Sequence, residues 1–164
     1  MKTLEQQMSV YLRYHRDPRN RLTHFIGVPL ITFSLFIPLA WVSVPIGGLS
    51  ITLAHVFFAA VLVYYLLLDV AVALALAVVV GALVYFAQRV ADLGYATGWA
   101  VFLAAFVVGW IAQLLGHYME GKRPALVDNF WQIFVAPLFL MMETFAALGF
   151  KRDRLRSAEE LAAQ

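Results

Sequence analysis

Apolar residues fill this chain in long runs separated by short polar stretches. The first run, Leu22–Val42, carries Pro29 and Pro38. It still reaches the roughly 20 apolar residues a helix needs to cross a bilayer. Ser43–Ser50 holds Pro45 and Gly47-Gly48, which predicts a turn. Ile51–Phe86 contains one formal charge, Asp69. It is too long for one span and predicts two helices joined tightly near Asp69. Gln88–Gly94 is a polar loop, Tyr95–Leu115 a further span, and Gly116–Asp128 the most polar internal stretch. Phe130–Phe150 is the last apolar run, with Pro137 and Glu143 inside it. Ahead of all this, Leu4, Met8, Tyr11 and Leu12 are spaced as the apolar face of a short amphipathic interfacial helix. Asp17-Pro18 ends that helix, because proline disfavours the helical conformation in the residue before it. Ser157–Gln164 reads as a frayed helical tail.

Composition turns this pattern into a class. The chain is 63% hydrophobic and 13% charged, with a mean hydropathy of +0.80. Soluble domains carry roughly 45–50% apolar and about 25% charged residues. The prediction is an all-α, polytopic membrane helical bundle forming a single domain over residues 1–164. Residues 1–21 form a cytoplasmic interfacial segment, 22–150 the transmembrane bundle and 151–164 a basic C-terminal tail. The polar N-terminus does not fit a cleavable signal peptide. A net charge of +2 offers nothing to a nucleic acid. With no cysteine there is no disulfide, thiolate ligand or thiol nucleophile.

The charges decide topology. Arg13, Arg16, Arg19 and Arg21 precede the first run, and Lys151, Arg152, Arg154 and Arg156 follow the last. Such clusters mark the cytoplasmic side. With the N-terminus inside, four spans bring His15, His24, Asp69 and His117 to one face. A fifth full span would put the second basic cluster outside. The prediction is therefore four full spans plus a broken or re-entrant fifth segment, interrupted at Ala136-Pro137, which returns Glu143 toward the histidine face.

Three of the four histidines stand among polar residues at the edges of these runs. Polar groups near hydrocarbon are costly and usually functional, and imidazole is the commonest metal ligand. His15, His24 and His117 on one membrane face would make a metal site. His55 falls on the opposite face and reads as structural. Asp69 reads as a solvated turn residue. Glu143, inside an apolar run, needs a partner.

The motifs carry a resemblance. Tyr14 to Pro29 contains Tyr-His-x-x-Pro-x-Asn-x-x-x-His-x-x-x-Val-Pro, through His15, Pro18, Asn20, His24, Val28 and Pro29. Gly116-His117, Glu120 and Arg123-Pro124-Ala125-Leu126 with Asp128-Asn129 form a second block. Ala136-Pro137-Leu138-Phe139, Glu143 and Leu148-Gly149-Phe150 form a third. From about Tyr11 to Phe150 the chain resembles the small integral-membrane family that includes the fungal endoplasmic-reticulum 2-hydroxy fatty acid dioxygenase. The fungal pattern has one more residue before its glutamate; His117-x-x-Glu120 keeps both side chains on one helical face.

The resemblance implies an iron(II)-dependent dioxygenase of α-oxidation. Such an enzyme uses molecular oxygen to cleave a 2-hydroxy fatty acid to the acid one carbon shorter. Histidine and carboxylate ligands with open positions suit that chemistry, and a 2-hydroxy acid can chelate the metal through hydroxyl and carboxylate. The resemblance implies His15, His24, His117 and Glu120 as ligands. Asn20, Gln113, Asp128 and Glu143 would lie behind them, and Arg123 or Lys122 would meet the substrate carboxylate. The expected setting is a bacterial plasma membrane with the site on the cytoplasmic face; homo-oligomerisation is left open. Two other functions compete: a zinc-dependent membrane lipid hydrolase, and a non-enzymatic small transporter or scaffold.

Overall fold

The computed structural model describes residues 2–124, 127 and 130–164. Helix α1 is Leu4–Leu12 and α2 is Pro18–Ala40; a hairpin of β1 (Ser43–Ile46) and β2 (Leu49–Thr52) follows. Then come α3 (Leu53–Leu68), α4 (Val70–Ala91), α5 (Tyr95–Glu120), α6 (Gln132–Ala147) and α7 (Arg152–Ala163).

Local chemistry sets the boundaries, in places differently from the sequence reading. Asp17-Pro18 opens α2 rather than closing α1. The Asp17 carboxylate accepts from the Arg19 N–H at 2.8 Å, and Pro18 takes the first helical turn, where its missing N–H costs nothing. Pro29 and Pro38 lie inside a continuous α2. The expected turn at Ser43–Ser50 is a two-stranded hairpin with Val44 opposite Ile51, so the fold is not purely helical. Gly47 and Gly48 supply the positive φ values at its tip. Ile51 is thereby taken from the next helix, and His55 pairs through Nδ1 with the Thr52 hydroxyl at 2.7 Å, at the start of α3. At the other end Asp69 accepts from the Val72 N–H at 3.0 Å and caps α4. The long run does split at Asp69, but α3 is left with 16 residues.

Among the described residues, α2, α4 and α5 are long and apolar enough to cross a membrane, while α3 and α6 are shorter apolar helices. That is one helix fewer of full length than expected, for the reason just given.

Helices α2 and α5 form the central seam. A Cβ on Gly109 would stand 2.8 Å from Ile31 Cγ1, and one on Gly27 2.8 Å from the Gly109 carbonyl. A Cβ on Gly116 would collide with Thr23 Oγ1 and Asn20 Oδ1. Small residues let helix backbones approach closely where lipid gives no hydrophobic drive between helices. This contact holds the start of α2 against the end of α5.

Helix α6 is unbroken through Pro137, contrary to the expected interruption at Ala136-Pro137. Proline removes one internal hydrogen bond, and the Tyr65 hydroxyl donates to the Phe134 carbonyl in that turn at 2.8 Å. The helix runs antiparallel to α2. Its start shares a cavity with Thr32 and Leu35, and its end pairs Glu143 with Arg21 at 2.9 Å. Lys122, just after α5, donates to the Arg13 carbonyl. The chain thus leaves the histidine end after α5, enters α6 about 20 Å along α2 from Pro18, and returns.

The tail expected to fray is α7, packed on α1. Ala158 and Ala162 are buried against Leu4, Met8 and Leu12 of the shared core. Small residues one turn apart permit the close approach. Arg154 pairs with Glu5 at 2.7 Å, and Lys151 with Asp69 at 2.6 Å. Asp69 is therefore a buried, paired cap rather than a solvated turn residue.

Candidate metal centre

His15 follows α1, His24 is on the second turn of α2, and His117 is on the last turn of α5. All three are buried, and one ring nitrogen from each lies within 4.8 Å of the others. The ring centroids of His15 and His117 are 4.8 Å apart, those of His24 and His117 5.1 Å.

The backbone fixes two of the rings. His15 Nδ1 lies 2.8 Å from the Tyr11 carbonyl, and His24 Nδ1 lies 2.8 Å from the Asn20 carbonyl. A carbonyl only accepts, so each Nδ1 carries the proton and each Nε2 presents a lone pair. Those two Nε2 atoms face each other at 3.0 Å. Two lone pairs at that distance repel unless a cation stands against both. Burial, with His24 next in importance, pushes the His15 imidazolium down to about 2, so this ring stays neutral. His117 Nδ1 is buried with no hydrogen-bond partner among the described residues. Three neutral imidazoles, two of them oriented through the opposite nitrogen by carbonyls, are the donor set that a transition metal takes.

Supporting groups hold this arrangement. The Tyr11 ring stacks on His15 at 3.8 Å between centroids and 4° between planes. Arg21 Nε donates to the His15 carbonyl at 2.8 Å, and its guanidinium carbon lies 5.7 Å from the Phe139 ring centre. Glu143, which the sequence left needing a partner, has Arg21. Asn20 is fully buried; its Nδ2 donates to Glu120 Oε2 at 2.6 Å.

Glu120 does not join the three histidines among the described residues. Its Oε1 accepts from the Arg16 N–H at 2.7 Å. The three-residue spacing shares a face with His117, but on the last turn the side chain reaches across to the segment before α2. There it fixes the same Asn20 whose carbonyl orients His24. Gln113 is buried and lines the histidine chamber. Arg123 is exposed beyond the end of α5, and Asp128 lies outside the described residues.

The chamber beside the rings measures about 60 Å³ and is also lined by Gln132. Gln132 is 2% exposed, and its Oε1 has no partner among the described residues. Sequence reasoning missed it, along with Tyr11 and Arg21. Tyr11 stands one helical turn before His15, a usable signal; Gln132 and Arg21 carried none.

The chain matches the family described as "2-hydroxy-palmitic acid dioxygenase Mpo1-like" over residues 1–148. It is 36% identical over 160 residues to the 2-hydroxy-palmitic acid dioxygenase MPO1 of Saccharomyces cerevisiae, an alignment covering 96% of this chain and 87% of the yeast protein. No solved structure matches. With a family match across nearly its whole length and a relative of that identity, the chain belongs to the Mpo1-like family.

Proposed function

We propose that this protein is an iron(II)-dependent dioxygenase that cleaves 2-hydroxy fatty acids to the acid one carbon shorter. The observation that carries the metal reading is the pair of opposed Nε2 lone pairs of His15 and His24, 3.0 Å apart, with His117 completing the group. Family membership supports the choice of substrate and reaction.

His15, His24 and His117 would hold the metal. Iron(II), when bound, supplies the chemistry with dioxygen that no side chain possesses. The protein's part is to present three neutral nitrogens, to keep their orientation through Tyr11 and Asn20, and to keep water scarce. Glu120 hydrogen-bonds Arg16 and Asn20, which supports reading it as a positioning residue and the donor set as the three histidines. The anionic oxygen donor would then be the substrate's own carboxylate. Gln113 and Gln132 offer polar contacts to its head.

We further read the bundle as four crossings, with α3 the short one and α6 re-entrant. The start of α2, the α3–α4 junction at Asp69 and the ends of α5 and α6 lie at one end. Packing of α1 on α7 puts both basic clusters on that side, which the positive-inside tendency makes cytoplasmic.

The test is metal analysis of purified protein together with oxygen uptake on 2-hydroxypalmitate. Iron in the isolated protein, and loss of both iron and turnover in His15→Ala, His24→Ala and His117→Ala, is the expected result. Full turnover in iron-free His24→Ala sinks the reading. An all-histidine set also suits zinc; zinc-loaded protein that hydrolyses lipid esters without oxygen uptake would replace it with a hydrolase.

A further inference from the structure

The histidine chamber is too small for a fatty acid. Its 60 Å³ is the share of about two water molecules in the liquid, room for a head but not a tail. A second cavity of about 320 Å³ lies deeper in the bundle, between α2, α3, α4 and α6. Thr32 and Ile133 line both spaces, so the two adjoin across these side chains. Beyond that threshold the walls are nearly all hydrocarbon. Leu76 and Val80 come from α4, while Leu39 on α2 and the Phe57-Phe58 pair on α3 stand furthest from the histidines.

We propose that this inner cavity takes the alkyl tail of the 2-hydroxy acid, so that the protein measures chain length inside the bundle instead of leaving the tail in the bilayer. The inference rests on the dioxygenase reading for the identity of the head.

Three observations commit the cavity to that occupant. It adjoins, across Thr32 and Ile133, the chamber where the acid's head must sit. Its lining is apolar, with polar atoms only at Thr32 and Tyr65, both nearer the histidine end. From His24 to Leu39 along α2 is about 22 Å, longer than the ~15 Å half-thickness of a bilayer's hydrocarbon core. That depth suits a long-chain acid. The floor is adjustable in principle: Phe58 rests toward Gly81, where an added Cβ would stand 3.8 Å from its Cζ. A large residue at Leu39 shortens the cavity and a small one at Phe58 lengthens it.

Two measurements test this. In the first, kcat/KM is measured for a graded series of saturated 2-hydroxy acids. Leu39→Trp is expected to cut kcat/KM for the longest accepted acids by at least about tenfold per excluded methylene, leaving short acids untouched. Phe58→Ala moves the optimum to longer chains. A length profile unchanged in both variants overturns the proposal. In the second, unmodified protein is irradiated with a 2-hydroxy acid bearing a photoreactive diazirine at its methyl end. Label on α2 and α3 around Leu39 and Phe58 supports an internal tail. Label confined to outward-facing residues such as Val78 and Val107, which are 75% and 50% exposed, overturns it. If wild-type protein turns over no acid of any length while label still appears at Leu39, the dioxygenase reading fails and the tail site stands. Turnover with label only outside does the reverse.

Discussion

Arg21 and Glu143 join the first long helix to the last apolar one, through an ion pair of 2.9 Å whose guanidinium also donates to the His15 carbonyl. Both side chains are about one-fifth exposed, so solvent screens the pair and its worth to stability is about 1 kcal/mol. A double-mutant cycle on Arg21→Ala and Glu143→Ala is expected to return a coupling of about that size. Because Arg21 also steadies His15, Glu143→Ala should weaken metal retention against a chelator by roughly tenfold. Unchanged retention would mean that the pair is only a strut.

Glu120 separates a ligand from a positioning residue. Its carboxylate accepts from Asn20; on the proposed reading it acts through that residue, so Glu120→Ala should lower metal affinity about 10- to 100-fold yet still bind one equivalent at saturating metal. His24→Ala should bind none. Equilibrium dialysis of the two variants side by side checks this; equal and complete loss in both would make Glu120 a ligand.

The seam between α2 and α5 leaves no room at Gly116. Gly116→Ala must push Thr23 and Asn20 away, at about 1–3 kcal/mol, and Asn20 takes His24 with it. A lower Tm together with weaker metal binding is expected. Gly81→Ala is the control, because its Cβ would make only ordinary contact at 3.8 Å and alanine favours helix. A Gly116→Ala protein with native Tm and metal affinity would show that the helices can separate without harm.

Gln132 is a buried amide whose oxygen has no partner among the described residues, an arrangement that costs about 1–3 kcal/mol. Gln132→Leu should therefore raise Tm while lowering kcat/KM for 2-hydroxy acids. A stabilised variant with undiminished kcat/KM would remove Gln132 from the head-binding group.

The Asp69–Lys151 pair sets an acid limit. Burial opposes ionisation of Asp69, but hydrogen bonds from Lys151 and the Val72 N–H, with the charges of Lys151 and Arg154, outweigh it and hold the carboxyl below its ordinary 3.8. A carboxyl whose folded pKa is depressed adds stability above its unfolded value and loses it as pH falls through the folded value. The attachment of α7 should thus be insensitive to pH well above the ordinary carboxyl values and weaken as pH falls through and below 3.8. Hydrogen exchange of α7 amides across that range checks it, and Asp69→Asn should reduce the dependence to the part carried by the Arg154–Glu5 pair, whose carboxyl is also held below its ordinary 4.5.

The histidine trio was legible because charge pattern and apolar run length alone place His15, His24 and His117 at one end of the bundle. What escaped had local causes. Glu120 shares a face with His117, but spacing says nothing of a side chain that reaches off its own helix. Pro137 looked like a break, but the packing that holds this turn, including the Tyr65 hydroxyl on the neighbouring Phe134 carbonyl, comes from 69 residues away in sequence. Ser157–Gln164 looked like a frayed helical tail, and not part of a docked helix, because its buried stripe is alanine, which a hydrophobicity pattern barely registers. The hairpin was hidden by its size, four residues a strand.

The clasp of α1 and α7 bears on the order in which the molecule is made. Arg13 and Arg16 donate to the carbonyls of Leu161 and Ala162, so the segment carrying His15 is anchored by residues translated nearly 150 positions later. His24 and His117 can meet once α5 has emerged, whereas the segment carrying His15 gains its last ties only when α7 docks. A nascent chain stalled before α7 therefore holds that segment through Arg21, Glu120 and Lys122 but not through Leu161 and Ala162, and the histidine cluster is fully braced only when the last helix has been made.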